Sequence, residues 1–170
     1  MVQPVVLGDG VKPFGNLYKE NNNNGPSDIA ASITTYGKGK IAAAYLNLGE
    51  RYLAAATSVA RNFVHGLARE LFPRPLVEVT GSMYVDLSVN RIGGKLAINL
   101  VNTAGPHADP HVYVYDEIPP VGPLEIRIRS GCTPKKVTLE PGGRELSYVT
   151  NGDAITLTLP RLEIHNVVVG

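Results

Sequence analysis

Hydrophobic and polar residues alternate along much of the second half of the chain. Apolar side chains take every second position in five short segments, which are residues 85–89, 96–100, 112–115, 124–128 and 155–159. Turn-forming sequences rich in glycine and asparagine separate several of these segments. Strict alternation gives a strand one buried and one wet face, which is typical of antiparallel sandwiches. The pattern therefore predicts that this half of the chain is an antiparallel β-sandwich.

The first half contains a segment with a different period. Apolar residues between Val59 and Leu71 recur at three- and four-residue spacing, and Thr57 or Ser58 can cap the segment. Prolines at positions 73 and 75 end the pattern, because proline lacks the N–H group that a helix interior needs. The spacing predicts one amphipathic helix that packs on a sheet, with partner binding as the alternative use of its apolar face.

Two strands are predicted before this helix, over residues 31–36 and 40–48, joined by a glycine-containing hairpin turn. Residues 1–28 are expected to pack poorly: Gln3–Leu7 could form a short strand, and the polar, turn-rich run of asparagines is expected to be a surface loop. The predicted fold class is mainly β: an antiparallel β-sandwich over 76–170, with a small N-terminal α/β part over 1–75 that contains one amphipathic helix.

Composition and charge exclude several classes of protein. The 170 residues carry 16 Lys and Arg against 15 Asp and Glu. Proteins that bind nucleic acid normally have an excess of basic residues, so no nucleic-acid partner is expected. No apolar run approaches the roughly 20 residues that span a bilayer, so no membrane partner is expected. The start of the sequence shows no signal peptide, and the single cysteine, Cys132, suits a reducing compartment. A cytoplasmic location is therefore predicted.

One loop concentrates potential metal ligands. His107, Asp109 and His111 lie within five residues, and Asp116 and Glu117 follow. Two imidazoles and a carboxylate are donors that zinc accepts, and a bound metal with an open position would activate water. No cofactor is otherwise expected. A polar loop that joins two strands is the alternative interpretation, because the spacing does not match a standard zinc motif.

Carboxylates and tyrosines suggest a second kind of chemistry. A glycosidase needs two carboxyl groups about 5 to 9 Å apart, and the candidates are Asp86, Asp116 and Glu117. Tyr113 and Tyr115 fall on one face of a predicted strand and could stack on the apolar face of a sugar ring. Sequence alone does not bring any two of the carboxylates together.

Five stretches of the sequence, taken in order, resemble a known family of proteins. They are YGKGKIAAAYLNLGERYL (36–53), ARELFPRPLVEVTGS (68–82), LAINLVNTAGPH (96–107), IPPVGPLEIRIR (118–129) and LPRLEIHNVVVG (159–170). Their order resembles the C-terminal end of multidomain bacterial glycoside hydrolases of the β-galactosidase and α-L-fucosidase-like kind. The resemblance implies a catalytic (β/α)8 barrel followed by an amidotransferase-like α/β domain, called the trimerisation domain in β-galactosidases, and then a small antiparallel β domain.

What the resemblance implies for function is an accessory role. The barrel and its two carboxylates are absent from this sequence, and Cys132 does not correspond to an amidotransferase nucleophile. The chain is therefore expected to be an accessory C-terminal region of a glycoside hydrolase, or a stand-alone relative, that serves assembly or carbohydrate contact. The expected partners are carbohydrate, a second copy of the chain or a catalytic barrel. Two alternatives remain: a small independent glycosidase, metal-assisted through the His107–His111 loop, and a pure oligomerisation module.

Overall fold

The computed structural model describes residues 5–20, 22–54, 57–105 and 117–170. The chain divides into two compact units, Met1–Arg74 and Pro75–Gly170, which are called the N-terminal unit and the C-terminal unit below. The described residues form three antiparallel sheets and two helices. The predicted fold class, mainly β with a sandwich and a small helical part, is confirmed.

The N-terminal unit consists of one sheet and two helices. Its strands are β1 (Lys12–Tyr18), β2 (Ser27–Tyr36) and β3 (Gly39–Ala44), which pair in the order β1-β2-β3. Helices α1 (Leu48–Ala54) and α2 (Ser58–Leu71) follow β3. The predicted amphipathic helix corresponds to α2.

Helix α2 begins with a capped turn and packs through one aromatic residue. The Thr57 side chain accepts a hydrogen bond from the Ala60 N–H at 3.4 Å, which satisfies one of the free donors of the first turn. The Phe63 ring meets Phe14 of β1 edge to face, with centroids 5.6 Å apart. Gly15 allows this contact, because a Cβ there would lie 2.6 Å from the Phe63 ring. At 14 residues α2 is the longer helix, and within the described part of the chain no helix is long and apolar enough to cross a membrane.

Two elements of the N-terminal unit contradict the sequence prediction. Strand β1 lies within residues 1–28, which were expected to pack poorly. The strand was missed because Pro13 and Gly15 are residues that strands disfavour. Strand β3 ends at Ala44 and α1 follows, whereas one strand was predicted over 40–48. The helix begins after Asn47, whose Oδ1 accepts from the Glu50 N–H at 3.4 Å while its side-chain amide bonds the Glu50 carboxylate. This reciprocal cap was the missed signal.

The C-terminal unit is a sandwich of two antiparallel sheets. Its strands are β4 (Val77–Thr80), β5 (Val85–Ile92), β6 (Lys95–Asn102), β7 (Leu124–Ile128), β8 (Thr138–Glu140), β9 (Arg144–Glu145), β10 (Tyr148–Asn151), β11 (Ala154–Leu159) and β12 (His165–Val169). One sheet has the order β10-β11-β7-β4 and the other the order β5-β6-β12-β8-β9. Four alternating segments of the sequence lie in β5, β6, β7 and β11 as predicted, and the fifth, 112–115, is outside the described residues.

The core of the C-terminal unit lies between the two sheets. In β7 the buried and exposed positions alternate strictly, as expected for a strand with one wet face. Apolar side chains from both sheets form one cluster, whose fully buried members are Ile98, Leu100, Leu124, Ile126, Val137, Leu159, Leu162 and Val168. This unit therefore has a closed hydrophobic core of its own.

Candidate functional site

Most of the residues predicted to carry chemistry lie outside the described residues. These are His107, Asp109 and His111 of the metal hypothesis, Tyr113 and Tyr115 of the carbohydrate hypothesis, and Asp116 of the carboxylate hypothesis. Those assignments stay predictions. Asp86 and Glu117 are described, and both are exposed.

The two candidate carboxylates that the structure describes, Asp86 and Glu117, show no sign of a catalytic arrangement. Asp86 lies on β5 opposite Val101 of β6, and Glu117 lies in an irregular segment. In three cavities that described residues line, the only side-chain carboxylate is that of Glu70. Nor do the described residues contain a cluster of three His, Cys, Asp or Glu side chains that could hold a metal ion.

Asn102 connects the described residues on both sides of segment 106–116. Its side-chain amide donates to the carbonyls of Pro119, at 2.9 Å, and Glu163, at 2.7 Å. Its Oδ1 accepts from the Ala104 N–H at 2.9 Å. Because only 5% of Asn102 is exposed, these bonds replace the water that a buried amide would otherwise lose. Asn102 therefore ties the described residue Ala104, which precedes segment 106–116, to Pro119, which follows it.

The N-terminal unit contains the clearest candidate site, a groove between its two helices. We call it the helical groove. It has a volume of about 410 Å³, and its lining residues are Leu48, Gly49, Tyr52, Ala60, Arg61, Val64 and His65. Aliphatic and aromatic groups make its floor, and the two basic side chains border it. An apolar groove with a polar border is typical of protein–protein contact surfaces.

Large apolar side chains of the two helices are exposed. The exposed fractions are 48% for Val64, 77% for Val59 and 88% for Leu53, and no residue of α2 is buried. The buried residues of the described N-terminal unit are small: Ala30, Ala31 and Ser32. The sequence predicted that the apolar face of α2 packs on a sheet, and Phe63 does contact β1. Of the remaining apolar positions of α2, Leu67 is half-buried, whereas Val59, Val64 and Leu71 stay exposed.

The comparisons with known proteins give a likeness in fold. No protein-family model and no curated protein matches the sequence. The α-L-fucosidase isoenzyme 2 from Paenibacillus thiaminolyticus matches in structure with a TM-score of 0.67 and 17% identity, over 92% of this chain and 25% of that chain. The chain shares its fold with part of a glycoside hydrolase. It spans about a quarter of the length of that fucosidase.

A second structure also matches this chain, more weakly. It is a catalytic mutant of a GH42 β-galactosidase from G. stearothermophilus, with a TM-score of 0.43 and 15% identity, over 94% of this chain and 23% of that chain. This TM-score is too low to support an argument about the fold. The statement about the shared fold therefore rests on the match to the fucosidase.

Proposed function

We propose that this chain is an accessory, non-catalytic region of a glycoside hydrolase, and that its N-terminal unit serves assembly. The observation that supports assembly most directly is the helical groove, whose apolar lining includes the exposed Val64. The fold likeness supports the glycoside hydrolase context, because the matched part is a quarter of the fucosidase chain. The rest of that chain lies outside the match, and the catalytic part of the proposed assembly would correspond to it.

The proposed occupant of the helical groove is the catalytic part of a glycoside hydrolase. Val64 and Tyr52 are the exposed side chains of the groove that such a contact would cover. Burying the exposed part of each would stabilise the association by about 1–2 kcal/mol per side chain. A second copy of this chain is the competing occupant, and the fucosidase likeness favours the first, because there the matched fold is joined to further polypeptide in a single chain.

A turnover assay tests the accessory role. The purified 170-residue chain is incubated with a panel of nitrophenyl glycosides, with and without added zinc and with a chelator. We expect no hydrolysis above the rate of buffer alone. Hydrolysis that the chelator or His107→Ala abolishes would support the independent glycosidase and overturn the proposal.

A recovery experiment tests the assembly role. The tagged chain is produced in its natural host, and the recovered material is assayed for glycosidase activity and examined by mass spectrometry. We expect peptides of a glycoside hydrolase barrel, on a separate polypeptide or joined to this chain, together with glycoside turnover. Val64→Lys places a charge in the helical groove and is expected to lower the recovered activity at least tenfold, since an unpaired charge at a buried contact costs more than 1.4 kcal/mol.

The matched control is Val149→Lys, which introduces the same change at an exposed valine of β10 in the C-terminal unit. It is expected to leave the recovered activity unchanged. Light scattering of the purified chain examines the competing occupant. Concentration-dependent dimers that Val64→Lys dissociates, without any recovered glycosidase, would assign the helical groove to a second copy and refute the proposed partner.

A further inference from the structure

A second cavity, at one end of the C-terminal sandwich, combines an apolar floor with basic side chains at its mouth. We call it the basic cleft. It has a volume of about 420 Å³, and residues of both sheets and of the loop before β8 form its floor: Leu96, Ile98, Ile128, Val137 and Ile155. These floor residues are all buried members of the core cluster. The cleft therefore borders the edge of the hydrophobic core, whose side chains are themselves almost fully covered.

Four cationic side chains line the basic cleft. Arg91 and Lys95 stand on either side of the β5–β6 turn, and Lys135 and Lys136 belong to the segment that leads into β8. All four are exposed. Lys136 pairs with Glu145 at 3.3 Å, whereas the other three form no ion pair with any residue in the described part of the chain.

Negative charge is nearly absent from the same cleft. No side-chain carboxylate belongs to its described lining. Gly170, the last residue of the sequence, contributes a wall, and its backbone oxygen already accepts the Leu96 N–H at 2.8 Å. With Lys136 offset by Glu145 and a terminal carboxylate counted at Gly170, Arg91, Lys95 and Lys135 still leave the cleft with a positive charge, and a low-dielectric floor beside it concentrates that potential.

The lining offers almost nothing for the hydroxyl groups of a neutral sugar. Its single hydroxyl, that of Ser130, donates to the Cys132 carbonyl at 2.6 Å. No Asn, Gln, Asp or Glu side chain lines the cleft within the described residues. A polyol in this cavity would find side-chain donors on the four cations but almost no side-chain acceptors for its own O–H groups, and each O–H left without an acceptor costs about 1–3 kcal/mol.

From this combination we infer that the basic cleft binds an amphiphilic organic anion. The aliphatic body lies against the half-buried Pro134 and the partly accessible edges of Leu96 and Ile155, and the carboxylate head meets Lys95, Lys135 and Arg91. The proposal concerns the C-terminal unit alone and does not depend on the assembly role of the helical groove. It names a ligand class that neither the fold likeness nor the sequence pattern indicated.

Calorimetric titration of the full chain with octanoate tests this assignment. Each methylene that enters the floor should tighten binding about fourfold, so octanoate should bind much more tightly than butanoate. Inorganic phosphate supplies charge without an apolar body, glucuronate supplies charge on a polar body, and octyl glucoside supplies the body without charge. All three are expected to bind at least tenfold more weakly than octanoate.

Cys132 locates the bound probe, because it is exposed and lies in the wall of the cleft. Octanoate should slow alkylation of its thiol by iodoacetamide at least fivefold. Lys95→Gln with Lys135→Gln should weaken octanoate binding about tenfold, from about three- to fivefold for each exposed lysine. Lys38→Gln, in the β2–β3 turn of the N-terminal unit, is the matched control and should leave the affinity unchanged.

Three results would overturn the proposal. One is octanoate binding that leaves the alkylation rate of Cys132 unchanged, since the ligand would then sit elsewhere. Another is that phosphate, glucuronate or octyl glucoside binds as tightly as octanoate, since the cleft would then not require both a charge and an apolar body in its ligand. The third is an equal loss in Lys38→Gln and in the double lysine variant. None of these results bears on the recovered glycosidase activity that tests the assembly role.

Discussion

Asn102 offers the sharpest test of how the C-terminal unit is held together. Its side chain makes three hydrogen bonds, to the carbonyls of Pro119 and Glu163 and from the N–H of Ala104. The substitution Asn102→Ala removes all three at a position that is almost fully buried. The backbone of residue 102 still bonds Ile164, so the change isolates the amide.

The expected loss in the free energy of unfolding follows from these bonds. A neutral hydrogen bond contributes about 1 kcal/mol net, and a partner left without water costs somewhat more. Pro119 and Glu163 are exposed as residues, so water can reach part of their carbonyl groups and the lower figure applies. Three bonds together give about 3 kcal/mol for Asn102→Ala.

The isosteric variant Asn102→Asp separates hydrogen bonding from packing. It keeps the volume and the acceptor for Ala104, but it places a carboxylate oxygen against the two carbonyls that the amide now serves. If packing dominates, Asn102→Asp should be nearly as stable as the parent. If the donors dominate, it should lose at least as much as Asn102→Ala, because a carboxylate cannot donate.

The same variant has a pH dependence with a definite sign. Burial and the two carbonyls disfavour the charged form, so the pKa of the introduced carboxyl should be raised in the folded state. The folded state then binds more protons than the unfolded state above the ordinary pKa of aspartate. Stability of Asn102→Asp relative to the parent should fall as the pH rises through that window, and part of it should return in acid.

The assay is urea unfolding at several pH values, with hydrogen exchange of peptides from β6 and β12 to assign the effect to the C-terminal unit. Exchange is needed because the two units of the chain can unfold separately. The reasoning is refuted if Asn102→Ala loses less than about 1 kcal/mol, or if Asn102→Asp matches the parent at neutral pH.

Two further substitutions test close contacts in the C-terminal unit. Gly81→Ala should cost about 2–4 kcal/mol in unfolding free energy, because Gly81 has φ +102° and a Cβ there would lie 2.2 Å from the Pro123 carbonyl oxygen. Gly152→Ala, at φ +61° with open space around it, should cost only about 1–2 kcal/mol; equal losses in urea would contradict the steric argument. Arg129→Lys should cost about 1–2 kcal/mol, because Arg129 bonds the Pro75 carbonyl at 2.8 Å and Glu78 at 2.7 Å at once, which one ammonium cannot do in the same geometry. An Arg129→Lys chain as stable as the parent would show that the pairing adds nothing.

The sandwich was predictable because its strands bury only one face, which places an apolar residue at every second position of the sequence. Strand β7 shows this most plainly, with Leu124, Ile126 and Ile128 buried and the residues between them exposed. Helix α1 was missed for the opposite reason. It is seven residues long, too short for a helical period to show, and its only local mark is the cap between Asn47 and Glu50.

The two candidate sites could not be predicted from the sequence, for a further reason. The basic cleft brings Lys95 and Lys135 together from positions forty residues apart in the sequence, and no spacing rule links them. In the helical groove, the apolar residues of α2 were recognised, but their pattern indicates a face without showing what covers it. Contacts between distant segments decide both cases, and a period within one segment does not contain that information.

The contrast between the two units bears directly on where an assembly surface should lie. Burying a large aliphatic side chain stabilises a fold by about 1.5–3 kcal/mol, and the C-terminal unit buries many of them in one cluster. The described N-terminal unit buries two alanines and a serine while Val59, Leu53 and Phe72 stay exposed, so its own core contributes little. A unit that leaves its large apolar groups uncovered gains most from a partner that covers them, because the same side chains then supply the missing burial. The uncovered apolar side chains of the N-terminal unit thus support the proposed assembly role for that unit, and the ligand proposed for the C-terminal unit makes no use of them.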